Sequence, residues 1–154
     1  MIIRTATSSD CEGIAALYRQ LNPDDPPIDK SRFVATLERI SNDSGLELIV
    51  AEFSGSLVAT CYLNIIPNLS RGGAPYAIIE NVVTDQAHRR KGYGKAVVSF
   101  ALERAWCGGC YKVVLTTSSH REATHAFYCS CGFSAGEKFA FVARSNVKAD
   151  ISHG

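Results

Sequence analysis

The spacing of hydrophobic positions changes several times along this 154-residue chain. Apolar runs of strand length predict six β-strands, and apolar residues three and four positions apart predict four helices. Ser9-x-x-Glu12 has the form of a capping box for the first helix. The other predicted helices begin at Asp29 or Ser31, at Gly92 and at Glu122. The predicted strands cover residues 2–6, 46–53, 56–67, 77–84, 111–117 and 139–143.

The resulting order, β-α-α-β-β-β-α-β-α-β, predicts a mixed α/β (α+β) fold. The strands on either side of the third helix must run parallel, because a helix joins them as a crossover. We therefore expect a twisted mixed sheet with antiparallel N-terminal strands, a parallel crossover pair in the centre and helices on both faces. Residues 1–145 would form one domain, and residues 146–154 a frayed tail.

Composition narrows the range of functions. The chain is 46% hydrophobic and 20% charged, with a formal net charge of +1. Such a balance is not typical of a general nucleic-acid binder, whose domain would be strongly basic. No apolar run approaches membrane-spanning length, and the first residues do not read as a signal peptide, so we expect no membrane association. Six cysteines then indicate reduced thiols and a cytoplasmic location.

A cluster of cations coincides with the predicted start of the third helix. The buried strand 77–84 is followed by a short polar turn and then by Arg89-Arg90-Lys91-Gly92-Tyr93-Gly94-Lys95. The first turn of a helix presents unpaired N–H groups and a positive dipole end, which disfavours cations unless an anion binds there. Glycines would let the backbone approach that anion closely. The pattern predicts a phosphate- or pyrophosphate-binding loop, with a solvated basic turn as the alternative.

This arrangement is neither a dinucleotide fingerprint nor a P-loop. Arg89-x-x-Gly92-x-Gly94 after a buried strand resembles the acetyl-CoA-binding motif of the GNAT superfamily of N-acetyltransferases. His125-Ala126-Phe127-Tyr128-x-x-x-Gly132-Phe133 resembles a later signature of the same family. The resemblance implies the GNAT fold, acetyl-CoA as co-substrate without a metal, and direct acetyl transfer to an amine in a ternary complex.

The resemblance also assigns cofactor contacts. The main chain of Val82 and Val83 would pair with the pantetheine amides, in a cleft where the strand ending at Thr84 diverges from the next. Arg121 stands where many members have an asparagine seven residues before the tyrosine, so it would reach a phosphate or be solvated. The cofactor-binding set is Val82, Val83, Thr84, Arg89, Arg90, Lys91, Gly92, Tyr93, Gly94, Lys95 and Arg121.

Two residues are candidate proton-transfer groups. Tyr128 matches the family tyrosine that protonates the departing CoA thiolate. Glu80 lies within an apolar strand, where desolvation would make its carboxylate a stronger base, acting directly or through water. Asn81 could orient that water. The structural alternatives are an ordinary amphipathic-helix tyrosine and a buried glutamate paired with an arginine.

The acceptor would be a small-molecule amine. The loop at residues 22–29 contains three prolines and three aspartates, which would form a negative mouth at the thioester end of the cleft, facing residues 68–75. Residues 109–113 and 126–128 are similar to glucosamine-6-phosphate N-acetyltransferases, but aminoalkylphosphonate and other small-amine acetyltransferases share comparable stretches. The identity of the acceptor and the question of a homodimer stay open.

Three rival interpretations depend on other features. Cys107-Gly108-Gly109-Cys110 has the form of a thiol-disulfide oxidoreductase motif, but it follows a predicted helix, where the dipole has the wrong sign to stabilise a thiolate. The chain could also bind acetyl-CoA without turnover, as a regulatory module. A zinc site built from cysteines and His125 has poor ligand spacing. Its cysteines would be Cys107, Cys110, Cys129 and Cys131.

Overall fold

The computed structural model describes residues 1–145. It contains two compact units, of which the first is Met1–Ser119 and the second begins at His120. The predicted tail at residues 146–154 lies outside the described residues, and the single-domain interpretation stays a prediction.

The first unit is built on a five-stranded sheet in the order β1-β2-β3-β4-β5. The first four strands pair antiparallel, and β4 pairs with β5 in parallel. This confirms the predicted mixed sheet. The strands are β1 (Ile2–Thr5), β2 (Leu46–Phe53), β3 (Ser56–Ile66), β4 (Tyr76–Thr84) and β5 (Val113–Val114).

Four α-helices accompany these strands: α1 (Cys11–Leu21), α2 (Lys30–Ser41), α3 (Tyr93–Cys107) and α4 (Glu122–Ser130). The first three belong to the sheet-containing unit and α4 to the second. Asp29 caps α2, since its carboxylate accepts a hydrogen bond from the Arg32 amide at 2.8 Å. One of the two predicted starts of this helix is therefore confirmed.

Neighbouring residues of β3 show that the sheet of the first unit is covered on both faces. The Cys61 thiol donates to the Val97 carbonyl of α3 at 3.5 Å. The next residue, Tyr62, points to the opposite face and packs on a core cluster formed with α1 and α2. The buried members of that cluster are Ala6, Cys11, Ile14, Phe33, Leu37, Leu48 and Val50.

The start of the first helix differs from its prediction. A 3₁₀ turn, Ser8–Asp10, precedes α1, and the Thr7 amide donates to Asp10 Oδ2 at 2.7 Å. Asp10 also accepts two bonds from Arg4, at 2.7 and 2.9 Å. The predicted capping box from Ser9 to Glu12 is wrong by two residues, because an aspartate that can hold Arg4 is placed at the helix entrance.

Two predicted strands are corrected. The strand expected at 111–117 is reduced to Val113–Val114, and its ladder with β4 ends at Ile78. Residues 139–143 form no strand, and Phe139 and Phe141 are 90% and 96% exposed. Alternating apolar residues favour a strand only if a sheet edge is available to pair with them. Within residues 1–145 no strand pairs with this segment.

Candidate active site

A bulge in β4 is the central feature of the site. Thr60 of β3 pairs with Val83 and Tyr62 pairs with Glu80, so Asn81 and Val82 together oppose the single residue Cys61. Asn81 has φ 52°, in the left-handed region that asparagine tolerates better than most residues. A bulge of this kind bends the strand and interrupts its ladder. It lies three residues beyond Ile78, where the pairing of β4 with β5 ends.

The bulge therefore separates the two halves of β4. Before the bulge, β4 pairs with both β3 and β5. After the bulge, Val82, Val83 and Thr84 extend beyond the end of the β5 pairing. Main-chain groups on that side can serve an extended ligand, as predicted for the pantetheine arm. Pairing of β4 with β5 ends at Ile78 and Val114, so β5 is shorter than its apolar run.

The predicted anion loop follows β4. Gly92 is the N-cap of α3 and has φ 86°, a conformation that favours glycine. A Cβ added to Gly92 would meet no atom within 4 Å among the described residues, so the space in front of this helix end is open. Arg89, Arg90 and Lys91 are exposed beside it. Exposed cations and free helical N–H groups together form a suitable site for a phosphate.

A hydrogen-bonded brace fixes the turn before this loop. Gln20 of α1 donates to Asp85 Oδ2 at 2.9 Å and accepts from the Gln86 amide at 2.8 Å. Asp85 in turn contacts His88 Nδ1 at 2.8 Å. The His88 ring lies 6.0 Å from the ring of Tyr93, the first residue of α3. Gln20 thus connects α1 to the start of α3.

A cleft of about 1310 Å³ lies on the α1 and α2 side of the sheet. Its lining includes Asn22 and residues 25–28 of the proline-rich loop, together with Tyr18, Tyr62 and Asn81. The loop at 22–29 therefore borders a cavity that reaches the bulge, whereas the cavity's lining includes no residue of 68–75. Asp29 is one of the three aspartates predicted to make the cleft entrance negative, and its carboxylate instead caps α2.

Tyr18 and Asn81 both line this cleft. Burial raises the pKa of the Tyr18 phenol to about 12, and the side chain of Asn81 opposes that rise. The phenol is therefore neutral near neutral pH and can donate or accept hydrogen bonds. Sequence reasoning missed Tyr18 as a site residue, since its helical spacing marked it only as a core position.

Glu80 is exposed, so the prediction that it is buried within an apolar strand is wrong. It lies directly opposite Tyr62, and directly paired residues of an antiparallel ladder share one face of the sheet. Glu80 therefore lies on the face that carries the cleft, one residue before the bulge.

The remaining predicted site residues lie in the second unit. Tyr128 is on α4 and is half-buried, with its ring 5.1 Å from that of Phe127 and 6.3 Å from that of Phe133. Arg121 is the exposed N-cap residue of the same helix.

The cysteines do not form a redox or metal centre within the described residues. All six are free thiols. Cys107 is the last residue of α3, at the negative end of the dipole, and burial raises the pKa of the Cys110 thiol. Residues 1–145 contain no group of three or more histidine, cysteine or acidic side chains that could hold a metal ion. No helix in this range is long and apolar enough to cross a bilayer.

Comparison with known proteins identifies the family of this chain. The sequence profile of the acetyltransferase (GNAT) family matches residues 14–133. Glucosamine 6-phosphate N-acetyltransferase 1 of Oryza sativa is 34% identical over 124 residues, which cover 79% of this chain and 73% of the rice protein. The glucosamine 6-phosphate N-acetyltransferase of Trypanosoma brucei brucei is 39% identical over 85 residues, or 55% of this chain. The matched region spans 56% of that protein's length.

A solved structure shows the same fold. A presumed acetyltransferase from Agrobacterium tumefaciens superimposes with a TM-score of 0.89 at 44% identity, covering 94% of this chain and all of the other. The family profile spans both the bulged strand and the glycine loop. The chain therefore belongs to the GNAT family of acetyltransferases, and its class is that of the acetyl-CoA-dependent N-acetyltransferases.

Proposed function

We propose that this enzyme transfers the acetyl group of acetyl-CoA directly to the primary amine of a small molecule, within a ternary complex. The observation that carries the proposal is the position of the β4 bulge. It lies between the glycine loop, which is suited to a pyrophosphate, and a cleft large enough for a second substrate. Relatives named for glucosamine 6-phosphate make that amino sugar the first acceptor to assay.

Cofactor binding is assigned to one continuous path. The pyrophosphate would bind the N-terminus of α3, where the helix dipole favours an anion and Arg89, Arg90 and Lys91 add positive charge. The pantetheine arm would extend along the main chain of Val82 and Val83 towards the bulge. The thioester carbonyl would then lie next to Asn81, at the border of the cleft.

The transfer requires proton movements both before the attack on the thioester and as the C–S bond breaks. The acceptor reaches the enzyme as an ammonium and must lose a proton before its nitrogen lone pair can attack the thioester carbon. We assign that proton to Glu80, acting through water, because its carboxylate is solvated and shares the face of the cleft. Attack by the neutral amine gives a tetrahedral adduct whose nitrogen still carries two protons, and it must lose one of them as the C–S bond breaks and the neutral amide forms. Tyr128 would donate a proton to the departing sulfur and recover the proton released by the nitrogen through water, a role supported by the resemblance of its motif.

Two substitutions should separate cofactor binding from chemistry. Gly92→Val should abolish acetyl-CoA binding, because a β-branched residue is strained at φ 86° and its side chain would fill the anion space. Tyr128→Phe should leave acetyl-CoA affinity unchanged and lower turnover by about 10²–10⁴-fold. Calorimetric titration with acetyl-CoA and amine-dependent release of CoA measure the two effects.

Tyr111→Phe, at an exposed tyrosine, is the matched control and should retain both properties. Amine-independent binding of acetyl-CoA without any CoA release would favour a regulatory module over an enzyme. Unchanged acetyl-CoA affinity in Gly92→Val would refute the assignment of the loop.

A further inference from the structure

The inner wall of the cleft is apolar. Phe33, Leu37 and Leu48 are buried, and Ile40 and Tyr62 are partly buried beside them. These side chains come from α2, β2 and β3 and form one continuous surface of the core cluster. The apolar area that a ligand could still remove from water belongs mainly to Ile40 and Tyr62, which are partly buried, and to Ile28, which is 44% exposed.

The rim of the cleft is charged but balanced. Four exposed ionic residues line it, and two arginines and two aspartates give no formal net charge. A phosphate monoester carries about −1.5 to −2 charges at neutral pH and is normally recognised by a cluster of arginines. This rim does not provide such a cluster. The four residues are Arg19, Asp25, Arg39 and Asp43.

Two polar side chains line the end of the cleft that borders the β4 bulge, where the thioester is proposed to bind. Tyr18 and Asn81 line the cleft at the bulge, and both side chains offer oxygen acceptors for the N–H groups of an amine. The volume of about 1310 Å³ exceeds the range of roughly 300–1,000 Å³ that small-molecule sites usually occupy. The cleft thus combines this polar pair at the bulge with an apolar inner wall, while exposed polar residues, among them Asn22, Asn42 and Ser44, also line it.

From this division we infer that the acceptor is a primary amine with an apolar alkyl or arylalkyl body. The amine nitrogen binds at Tyr18 and Asn81, and the body lies along Phe33, Leu37 and Ile40. This inference depends on the proposed acetyl transfer and specifies its acceptor class.

A series of linear amines tests the inference. The n-alkylamines from propylamine to heptylamine have nearly equal basicity, so differences in kcat/KM report on binding of the chain. At saturating acetyl-CoA, kcat/KM should rise about fourfold for each added methylene group, the ratio expected for full burial of one CH₂. Glucosamine 6-phosphate, assayed in parallel, should be the poorer acceptor.

A variant of the cleft wall should flatten the series. Ile28 lines the cleft from the proline-rich loop and is 44% exposed, so Ile28→Ser should not disturb folding. It should lower kcat/KM for heptylamine several-fold while changing the value for propylamine little. Leu69→Ser is the matched control, because Leu69 is fully exposed and does not line the cleft.

The outcomes distinguish failure of the apolar acceptor class from failure of the proposed acetyl transfer itself. If glucosamine 6-phosphate exceeds every alkylamine and kcat/KM is independent of chain length, the apolar acceptor is refuted while acetyl transfer stands. If acetyl-CoA binds but no amine, including glucosamine 6-phosphate, releases CoA, the proposed function fails and this inference fails with it.

Discussion

At the scale of single residues, Asn81 has the largest effect on the site. Its left-handed backbone costs on the order of 1 kcal/mol in an ordinary residue, and less in asparagine, whose short polar side chain tolerates this region. The bulge lies just beyond the last pair of β4 with β5, and the Asn81 side chain lines the cleft together with Tyr18. One residue therefore shapes both the proposed cofactor path and the acceptor cleft.

Glu80, the neighbour of Asn81, gives a testable pH dependence. Glu80→Gln should lower kcat/KM by about 10²–10⁴-fold near neutral pH, because glutamine cannot accept the ammonium proton. The loss of rate on acidification that is due to Glu80 should also disappear. The measurement is the pH profile of kcat/KM for two amines of different basicity. If the acidic limb of the profile reflects ionisation of the amine, its midpoint will differ between the two amines.

Glu103→Gln, on the exposed side of α3, is the matched control and should keep the parental profile. If the acidic limb of Glu80→Gln persists at the same pH for both amines, the base is another residue.

The sequence can nominate candidate site residues where the signal is local. The conflict between three cations and a helix N-terminus lies within seven consecutive residues, so Arg89 to Lys95 could be recognised without a structure. Tyr18 and Gln20 could not, because their partners are more than sixty residues away in the chain. The exposure of Glu80 was also missed, since an apolar strand pattern does not show which edge or bulge is solvated.

At the scale of elements, α1 serves both parts of the proposed site. Tyr18 and Arg19 line the cleft, and Gln20, on the same turn, braces the residues that lead into the anion loop. The proposed cofactor and acceptor sites would therefore share one end of α1.

Removal of the brace should weaken cofactor binding. Two hydrogen bonds of roughly 0.5–1.5 kcal/mol each are lost in Gln20→Ala, and the turn at residues 85–88 becomes less ordered. We expect the Kd of acetyl-CoA to rise about three- to tenfold, measured by calorimetric titration. Gln86→Ala makes the same chemical change but keeps the main-chain N–H that Gln20 binds, so it should retain the parental Kd.

A parental Kd in Gln20→Ala would show that the loop is ordered without α1. A loss of affinity that is equal in both variants would assign the effect to the turn itself rather than to the brace.

The prediction of strands failed where strand formation depends on pairing with a neighbouring strand. The helices and the first four strands follow from periodicity and capping, and their bounds agree with the structure to within one or two residues at most ends. The segments at 111–117 and 139–143 have equally apolar sequences, yet only Val113 and Val114 join the sheet. A strand needs a partner as well as an apolar pattern, and the sequence of a segment does not show whether a neighbouring strand will pair with it.

At the scale of the whole molecule, several carboxylates connect elements of the first unit. Arg4 of β1 holds Asp10 before α1 and also Glu52 of β2, at 2.9 Å. Hydrogen bonds from Arg4 lower the pKa of Asp10 below its ordinary value of 3.8. A bond from Gln20 lowers the pKa of Asp85, and a bond from Ser31 lowers that of Asp29. All three groups are ionised in the folded protein at neutral pH.

These shifts predict acid sensitivity with a definite sign. Because the pKa of each aspartate is lower in the folded than in the unfolded chain, the unfolded chain binds more protons as the pH falls. Their contribution to stability is complete above about pH 5 and is lost progressively as the pH falls through about 4 and below. The free energy of unfolding, from urea denaturation with a constant m-value, should decline over that interval.

Asp10→Asn tests the contribution of the most buried of these three aspartates. Asp10 is only 7% exposed and accepts bonds from Arg4 and Thr7, so its loss should cost roughly 1–3 kcal/mol at neutral pH. The difference from the parent should shrink as the pH falls, because acid protonates the parental carboxylate as well. Asp24→Asn, in the exposed loop, should follow the parent at every pH. A deficit of Asp10→Asn that is independent of pH would assign the effect to packing rather than to the ionised carboxylate between β1 and α1.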